Sequence, residues 1–196
     1  MRWNKFSEGM AIRRFVMLLL AMFLLSEVVS CARKFSISTN LLGYAEFGTL
    51  NLDASYAVSR RWNITAGVRY NPFTFRQGTS EQFQYRQRSF SVGARLWPWH
   101  TWSGWWFAAK LRYQEYNYGG IISEQSEEGD RWGGGLYTGY TYMLAPWLNI
   151  EFGAGFWTGA GKFVKYSCPS CGVTEKMGNK FFFLPDDFVI SLVYVF

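Results

Sequence analysis

The chain lacks the long hydrophobic run that a membrane-spanning helix requires. Such a helix needs about 20 consecutive apolar residues, yet after residue 30 every apolar segment is interrupted within a few positions by Gly, Ser, Arg or Asn. Charge is scarce as well, at 17% of the 196 residues, whereas ordinary domains carry about 25%. Since 49% of the residues are hydrophobic and 20% are aromatic, a disordered chain is excluded and the aromatic side chains need burial by another pattern.

The sequence also has no dense basic cluster. Its 20 Lys and Arg exceed its 14 Asp and Glu, but no stretch gathers five or more of them, as nucleic-acid-binding patches do. We therefore expect no nucleic-acid partner.

The first 32 residues have the features of a secretory signal peptide. Basic residues, ending at Arg13 and Arg14, precede an unbroken apolar run over 15–25, which is short for a membrane anchor. Small residues follow at Ser30 and Ala32, so we expect cleavage after Ala32 and a mature domain over 33–196. The alternative is a loose lipobox, in which Cys31 becomes the lipidated first residue.

The remaining sequence repeats a period of two. Between residues 50 and 58, apolar side chains occupy the even positions and small or polar ones the odd positions, the pattern of a strand with two different faces. The segments are about as long as tilted transmembrane strands, whereas soluble strands usually have about five or six residues. The eight segments cover roughly 35–41, 50–58, 62–70, 89–96, 107–114, 133–142, 148–156 and 188–196.

Long and short connections alternate between these segments. The first, third, fifth and seventh cover roughly 43–49, 71–87, 117–131 and 159–185, while the others cover 59–61, 97–104 and 145–146. Outer-membrane barrels have long external loops and short periplasmic turns in this order. The sequence therefore predicts an all-β, eight-stranded, antiparallel up-and-down transmembrane β-barrel in the outer membrane.

Aromatic residues cluster near both ends of the predicted strands. Tyr70, Tyr113 and Tyr116 lie near the long loops and predict one interfacial belt, because amphipathic rings suit the headgroup level of a membrane. Tryptophans beside the short turns predict the opposite belt: Trp62, Trp97, Trp99, Trp102, Trp105, Trp106 and Trp147.

The chain ends in an alternating segment that contains Leu192, Tyr194 and Phe196. This segment resembles the C-terminal signal that the barrel assembly machinery reads on Gram-negative outer-membrane proteins. More broadly, Asn71-Pro72-Phe73 and the stretches 39–42 and 104–120 resemble a family of small outer-membrane barrels of unknown function. That resemblance implies outer-membrane lipid and the assembly machinery as partners. Members are often encoded near fimbrial assembly proteins, which adds a surface or fimbrial protein as a further partner.

Charged residues also occur at inward positions of the predicted strands. In a narrow eight-stranded barrel such charges must pair or meet water, so we expect an ion-pair and hydrogen-bond network. The alternative is a narrow channel that favours anions. The inward set is Asp53, Arg69, Arg95, Lys110, Arg112 and Glu151.

The sequence offers little for catalysis. His100 is the only histidine and lies in a short turn without a nearby acid, so we expect no His-dependent catalysis, no cofactor and no metal site. Cys168 and Cys171 predict a disulfide at the tip of the longest loop, because exported chains are oxidised. An acidic run over 124–130 is more typical of a solvated loop than of a Ca²⁺ site.

These observations favour a non-enzymatic outer-membrane barrel whose external loops serve surface binding or the assembly of a surface structure such as fimbriae. Two alternatives stay open. One is an outer-membrane lipid-modifying enzyme, and the other is an exported soluble, lipocalin-like barrel that binds a ligand among its aromatic residues.

Overall fold

Nine strands and one short helix make up the part of the chain that the computed structural model describes, residues 33–76, 82–121, 125–168 and 173–196. Within these ranges no helix is long and apolar enough to cross a membrane. The strands are β1 (Phe35–Asn40), β2 (Leu50–Ala57), β3 (Trp62–Asn71), β4 (Thr74–Phe75), β5 (Phe83–Leu96), β6 (Gly104–Gly119), β7 (Ser126–Ala145), β8 (Leu148–Tyr166) and β9 (Thr174–Val195), and the helix is α1 (Leu41–Ala45).

Eight of the strands close into an antiparallel barrel. Each pairs with the next around the ring, β1 pairs with β9, and the pairing of β3 with β5 completes the circle, while the two-residue β4 forms a small hairpin with β5. The predicted eight-stranded antiparallel barrel is thus confirmed. Residues 34–195 form this unit, and the second unit of the chain comprises residues 1–33 and Phe196. The predicted signal peptide at 1–32 lies outside the described residues.

The strands are steeply tilted around the barrel. A row of paired residues that leaves β9 at Tyr194 passes once round the barrel and returns to β9 at Phe183. Such an offset between the ends of one row is what closure of a strongly sheared eight-stranded sheet requires. Separately, β6 to β9 continue well beyond the ends of β1 to β3.

The period-two pattern is satisfied by an apolar outer surface and a polar inner one. Large outward side chains such as Val92, Leu111 and Phe152 are about half exposed or more. Inward positions carry Asn, Ser, Thr, Gln and charged residues that are buried inside the barrel. This arrangement is the reverse of a soluble domain, in which apolar side chains form the core.

Two predicted loops are largely strand. The connections expected over 117–131 and 159–185 are occupied by the ends of β6, β7, β8 and β9. The alternation continues in these stretches, but the outward positions mix charged residues such as Glu128, Asp130 and Lys162 with apolar ones such as Met177 and Phe181, so the hydrophobic contrast between the two faces is weak. We call this four-stranded continuation the extension; it comprises residues 116–119, 126–131, 161–166 and 174–182.

The side chain of Asn40 connects the end of β1 to β9 by hydrogen bonds. β1 pairs with only the last part of β9, from Ser191 to Val195. Next to this pairing, the side-chain Nδ2 of Asn40 donates to the backbone carbonyl of Phe188 at 3.2 Å, and its Oδ1 accepts from the backbone amide of Ile190 at 3.1 Å. Its side chain also accepts from the amide of Leu42 and so caps α1. The side chain of Asn40 thereby satisfies backbone hydrogen-bonding groups of β9 at the point where the pairing with β1 ends.

Candidate functional site

The connection between β5 and β6 folds into the barrel and fills its short-turn end. Trp97 and Trp102 are 0% and 6% exposed, and their rings meet edge to face at 6.1 Å. Two backbone hydrogen bonds hold the connection against the turn between β2 and β3. The amide of Trp97 donates to the carbonyl of Arg61 at 2.8 Å, and the amide of Thr101 donates to the carbonyl of Arg60 at 3.0 Å. Trp102 has a φ of 71°, which is costly for a bulky residue and must be held by these contacts.

The predicted tryptophan belt is therefore partly wrong. Trp97, Trp102 and Trp106 lie inside the barrel. Trp106 occupies an inward position of β6 and Trp97 continues the inward parity of β5, whereas Trp102 belongs to the connection that folds into the barrel. A Cβ at Gly153 would lie 2.9 Å from the Trp106 ring, so this glycine makes room for the indole. The other four, Trp62, Trp99, Trp105 and Trp147, are exposed on the outside.

The predicted tyrosine belt is also partly wrong. Tyr70 and Tyr113 are exposed on the outside, but Tyr116 is 5% exposed and points inward. Trp132, which the sequence did not suggest for this belt, is exposed on the outer face, one strand away from Tyr113. Strand parity alone could have separated Tyr116 from the other two.

Above the tryptophans, Arg95 on β5 crosses the barrel to Glu151 on β8. Arg95 Nη1 lies 2.9 Å from both carboxylate oxygens, and the Thr141 hydroxyl donates to Glu151 Oε1 at 3.0 Å. The Arg95 guanidinium also stacks 4.2 Å from the centre of the Trp106 ring. Because Glu151 is only 1% exposed, its charge depends on these partners rather than on water.

A second ion pair crosses the middle of the barrel. Lys110 Nζ on β6 lies 3.9 Å from Asp53 Oδ1 on β2 and 5.1 Å from the centre of the Tyr137 ring. Arg112 is buried with its guanidinium 5.2 Å from the Trp157 ring, and Arg69 is half-buried and engaged in an interaction. Among the six predicted interior residues, the structure thus brings together Arg95 with Glu151 and Lys110 with Asp53.

A layer of amide side chains lies towards the long-loop end. The Gln114 amide donates to Gln87 Oε1 at 2.5 Å, and the Gln87 amide donates to Thr49 Oγ1 at 3.2 Å. Asn71 donates to the same hydroxyl at 3.0 Å. All four side chains are buried. These residues are uncharged, so the charges at inward positions do not point to them; the inward parity of Gln87 and Gln114 was the available signal in the sequence.

Comparison with models of known protein families gives a match over most of the chain. A family model described as "Protein of unknown function (DUF3575)" matches residues 15–196. The chain belongs to the DUF3575 family. No curated protein matches it. The predicted membership of a family of unknown function is thereby confirmed.

In this DUF3575 protein the extension carries a partly buried cluster of polar side chains at the long-loop end. Glu127 accepts hydrogen bonds from Lys180 and from the Tyr116 hydroxyl, the latter at 2.7 Å. Partial burial raises the pKa of the Glu127 carboxyl, but these donors outweigh it and hold the pKa below its ordinary value. Burial, together with the same contact with Glu127, raises the pKa of Tyr116.

From Glu127 to Asp130 the acidic run of the DUF3575 chain is part of β7. Glu127 and Glu128 point to opposite faces, and Glu128 accepts from Tyr166 at 2.5 Å and from Asn117 at 3.1 Å. Glu124 lies outside the described residues. Within the described part of the chain, no group of three or more His, Cys, Asp or Glu could hold a metal ion.

The remaining predicted residues lie apart from the barrel interior. Cys168 is disulfide-bonded at the tip of the β8–β9 hairpin, and its expected partner Cys171 lies outside the described residues. His100 is exposed in the short turn between β5 and β6. Leu192 and Tyr194 lie on β9, where Tyr194 packs 5.9 Å from Trp147, and Phe196 follows that strand.

Proposed function

We propose that this protein is a non-enzymatic outer-membrane β-barrel whose long-loop end binds a component of the cell surface or helps to assemble a surface structure such as fimbriae. The observation that carries the proposal is the division of the outside into an apolar surface, with Trp62, Trp105 and Trp147 near one end and Tyr113 and Trp132 near the other, and an extension beyond it that carries both charged and apolar side chains. Apolar bands flanked by aromatic rings are the hallmark of barrels that span a membrane.

The interior supports a structural rather than a transport role. Ion pairs cross the lumen from β5 to β8 and from β6 to β2, and buried tryptophans fill the short-turn end. An eight-stranded barrel has room for its own side chains and little more. The extension is then the part that offers a partner both charge and exposed apolar groups.

Single-cysteine labelling of whole cells tests the proposed orientation. We expect Asn179→Cys, on the extension, to react with a membrane-impermeant maleimide in intact cells. The matched variant His100→Cys, in a short turn on the opposite end, should react only after the cells are lysed. Labelling of His100→Cys alone in intact cells would contradict the proposal, and the parent chain reports the background from its own cysteines.

A further inference from the structure

β9 has a long stretch that pairs with another strand on one side only. From Thr174 to Val189 it pairs with β8, whereas β1 joins it only from Ser191 onwards. The Asn40 side chain forms hydrogen bonds with the backbone at Phe188 and Ile190. Between Thr174 and Leu184, no strand among the described residues pairs with the second edge. Such an edge presents a row of backbone donors and acceptors to another chain.

The side chains along this edge carry charge on one face. The register aligns Glu127 of β7 with Lys165 of β8 and Lys165 with Lys176 of β9. Two like charges directly opposite each other destabilise a sheet. Glu127 is engaged by Lys180, and in the described part of the chain neither Lys165 nor Lys176 has an acceptor within ion-pair distance. An acidic residue beyond Lys176 would complete this row.

The other face of the same edge is mostly apolar, with Asn179 between two large apolar side chains. Met177 and Phe181 are 70% and 91% exposed, and Phe183 is also exposed. Exposed edges with large apolar side chains favour pairing with a further strand, and lysines on the edge oppose pairing with a second copy of the same edge. A partner strand is therefore favoured if it carries acidic residues on one face and apolar residues on the other.

We propose that residues 174–184 of β9 accept a β-strand from a partner protein, and that this strand alternates acidic with apolar residues. The strand extends the sheet beyond β9, its acids face Lys176 and Lys180, and its apolar side chains cover Met177 and Phe181. The inference rests on the proposed function only in making that partner a protein of the cell surface.

Peptide binding to the full chain in detergent tests the inference. The probe is a fluorescent peptide of alternating Glu and Val, about ten residues long, the length of a typical strand. A second peptide has the same charge but contains Pro at its central Val positions, which removes backbone donors. We expect saturable binding of the first peptide and binding at least about tenfold weaker for the second.

Charge reversal on the protein supplies the second arm. Lys176→Glu should weaken binding of the alternating peptide by about tenfold or more, whereas Lys162→Glu, an exposed position on β8, should change it little. Equal binding of both peptides, equal effects of both variants, or no binding at all would overturn the inference. Because this assay uses purified protein, its failure is distinct from a failure of the surface-labelling experiment.

Discussion

The Arg95–Glu151 pair is the most deeply buried ion pair among the described residues and ties together strands on opposite sides of the barrel. Removing two charges from water costs several kcal/mol, which their attraction and hydrogen bonds must offset. Thr141 and the Trp106 ring supply additional contacts. The pair therefore fixes the position of β5 relative to β8. Removal of one of the two charges leaves the other buried without its partner.

Glu151→Gln should lower the free energy of unfolding by about 3–5 kcal/mol, because it leaves the Arg95 guanidinium buried without a counter-charge. Urea unfolding in detergent micelles measures this loss. The matched control is Glu115→Gln, which breaks the exposed pair with Arg88 at 2.5 Å and should cost about 1 kcal/mol or less. Equal losses for both variants would contradict the buried role of Glu151.

At the scale of elements, the β5–β6 connection fills the interior of the barrel at the short-turn end. It contains two neighbouring tryptophans with opposite surroundings, since Trp97 is fully buried and Trp99 is exposed. Trp97 also bonds through its backbone amide to Arg61. The connection is thus part of the barrel's packing rather than a free turn.

Trp97→Ala should destabilise the protein by about 3–5 kcal/mol, because it removes a large buried ring from a packed cluster. Trp99→Ala, two residues away, should change the unfolding free energy in the same micelles by about 0.5 kcal/mol or less. The comparison of the two midpoints in urea measures the difference. Similar costs would mean that the connection does not pack inside the barrel.

The extension should depend on pH through Glu127. Since the folded pKa of this carboxyl is lowered, its contacts stabilise the folded state above the ordinary carboxyl pKa, and that contribution is lost as the pH falls through the lowered value. The partly exposed pair with Lys180 contributes about 1 kcal/mol or less.

Amide hydrogen exchange should show this as faster local opening of β7 to β9 in the extension at acidic pH than at neutral pH, after correction for intrinsic rates. Glu127→Gln should remove the pH-dependent part. Asp130→Asn, an exposed change on the same strand, should leave it intact. A pH dependence unaltered by Glu127→Gln would show that another group is responsible.

At the scale of the whole molecule, period two was sufficient to predict the barrel and its strand count. It was not sufficient in the extension, where the outward positions mix charged, polar and apolar residues and the register of pairing defines the strands. Trp97 and Trp106 show another limit. The residue type suggested the membrane interface, while position on the strand directed both rings inward. Pairings such as Lys110 with Asp53 depend on which strands face each other across the closed barrel, which no local pattern contains.

The central claim is a closed barrel embedded in the outer membrane. Migration of the protein from carbonate-washed outer membranes, with and without boiling before electrophoresis, tests it most directly. We predict that the chain stays with the washed membranes and that the unboiled form migrates as a compact species, which boiling converts to the full-length unfolded position. Release of the chain by carbonate, or identical migration with and without boiling, would contradict the claim.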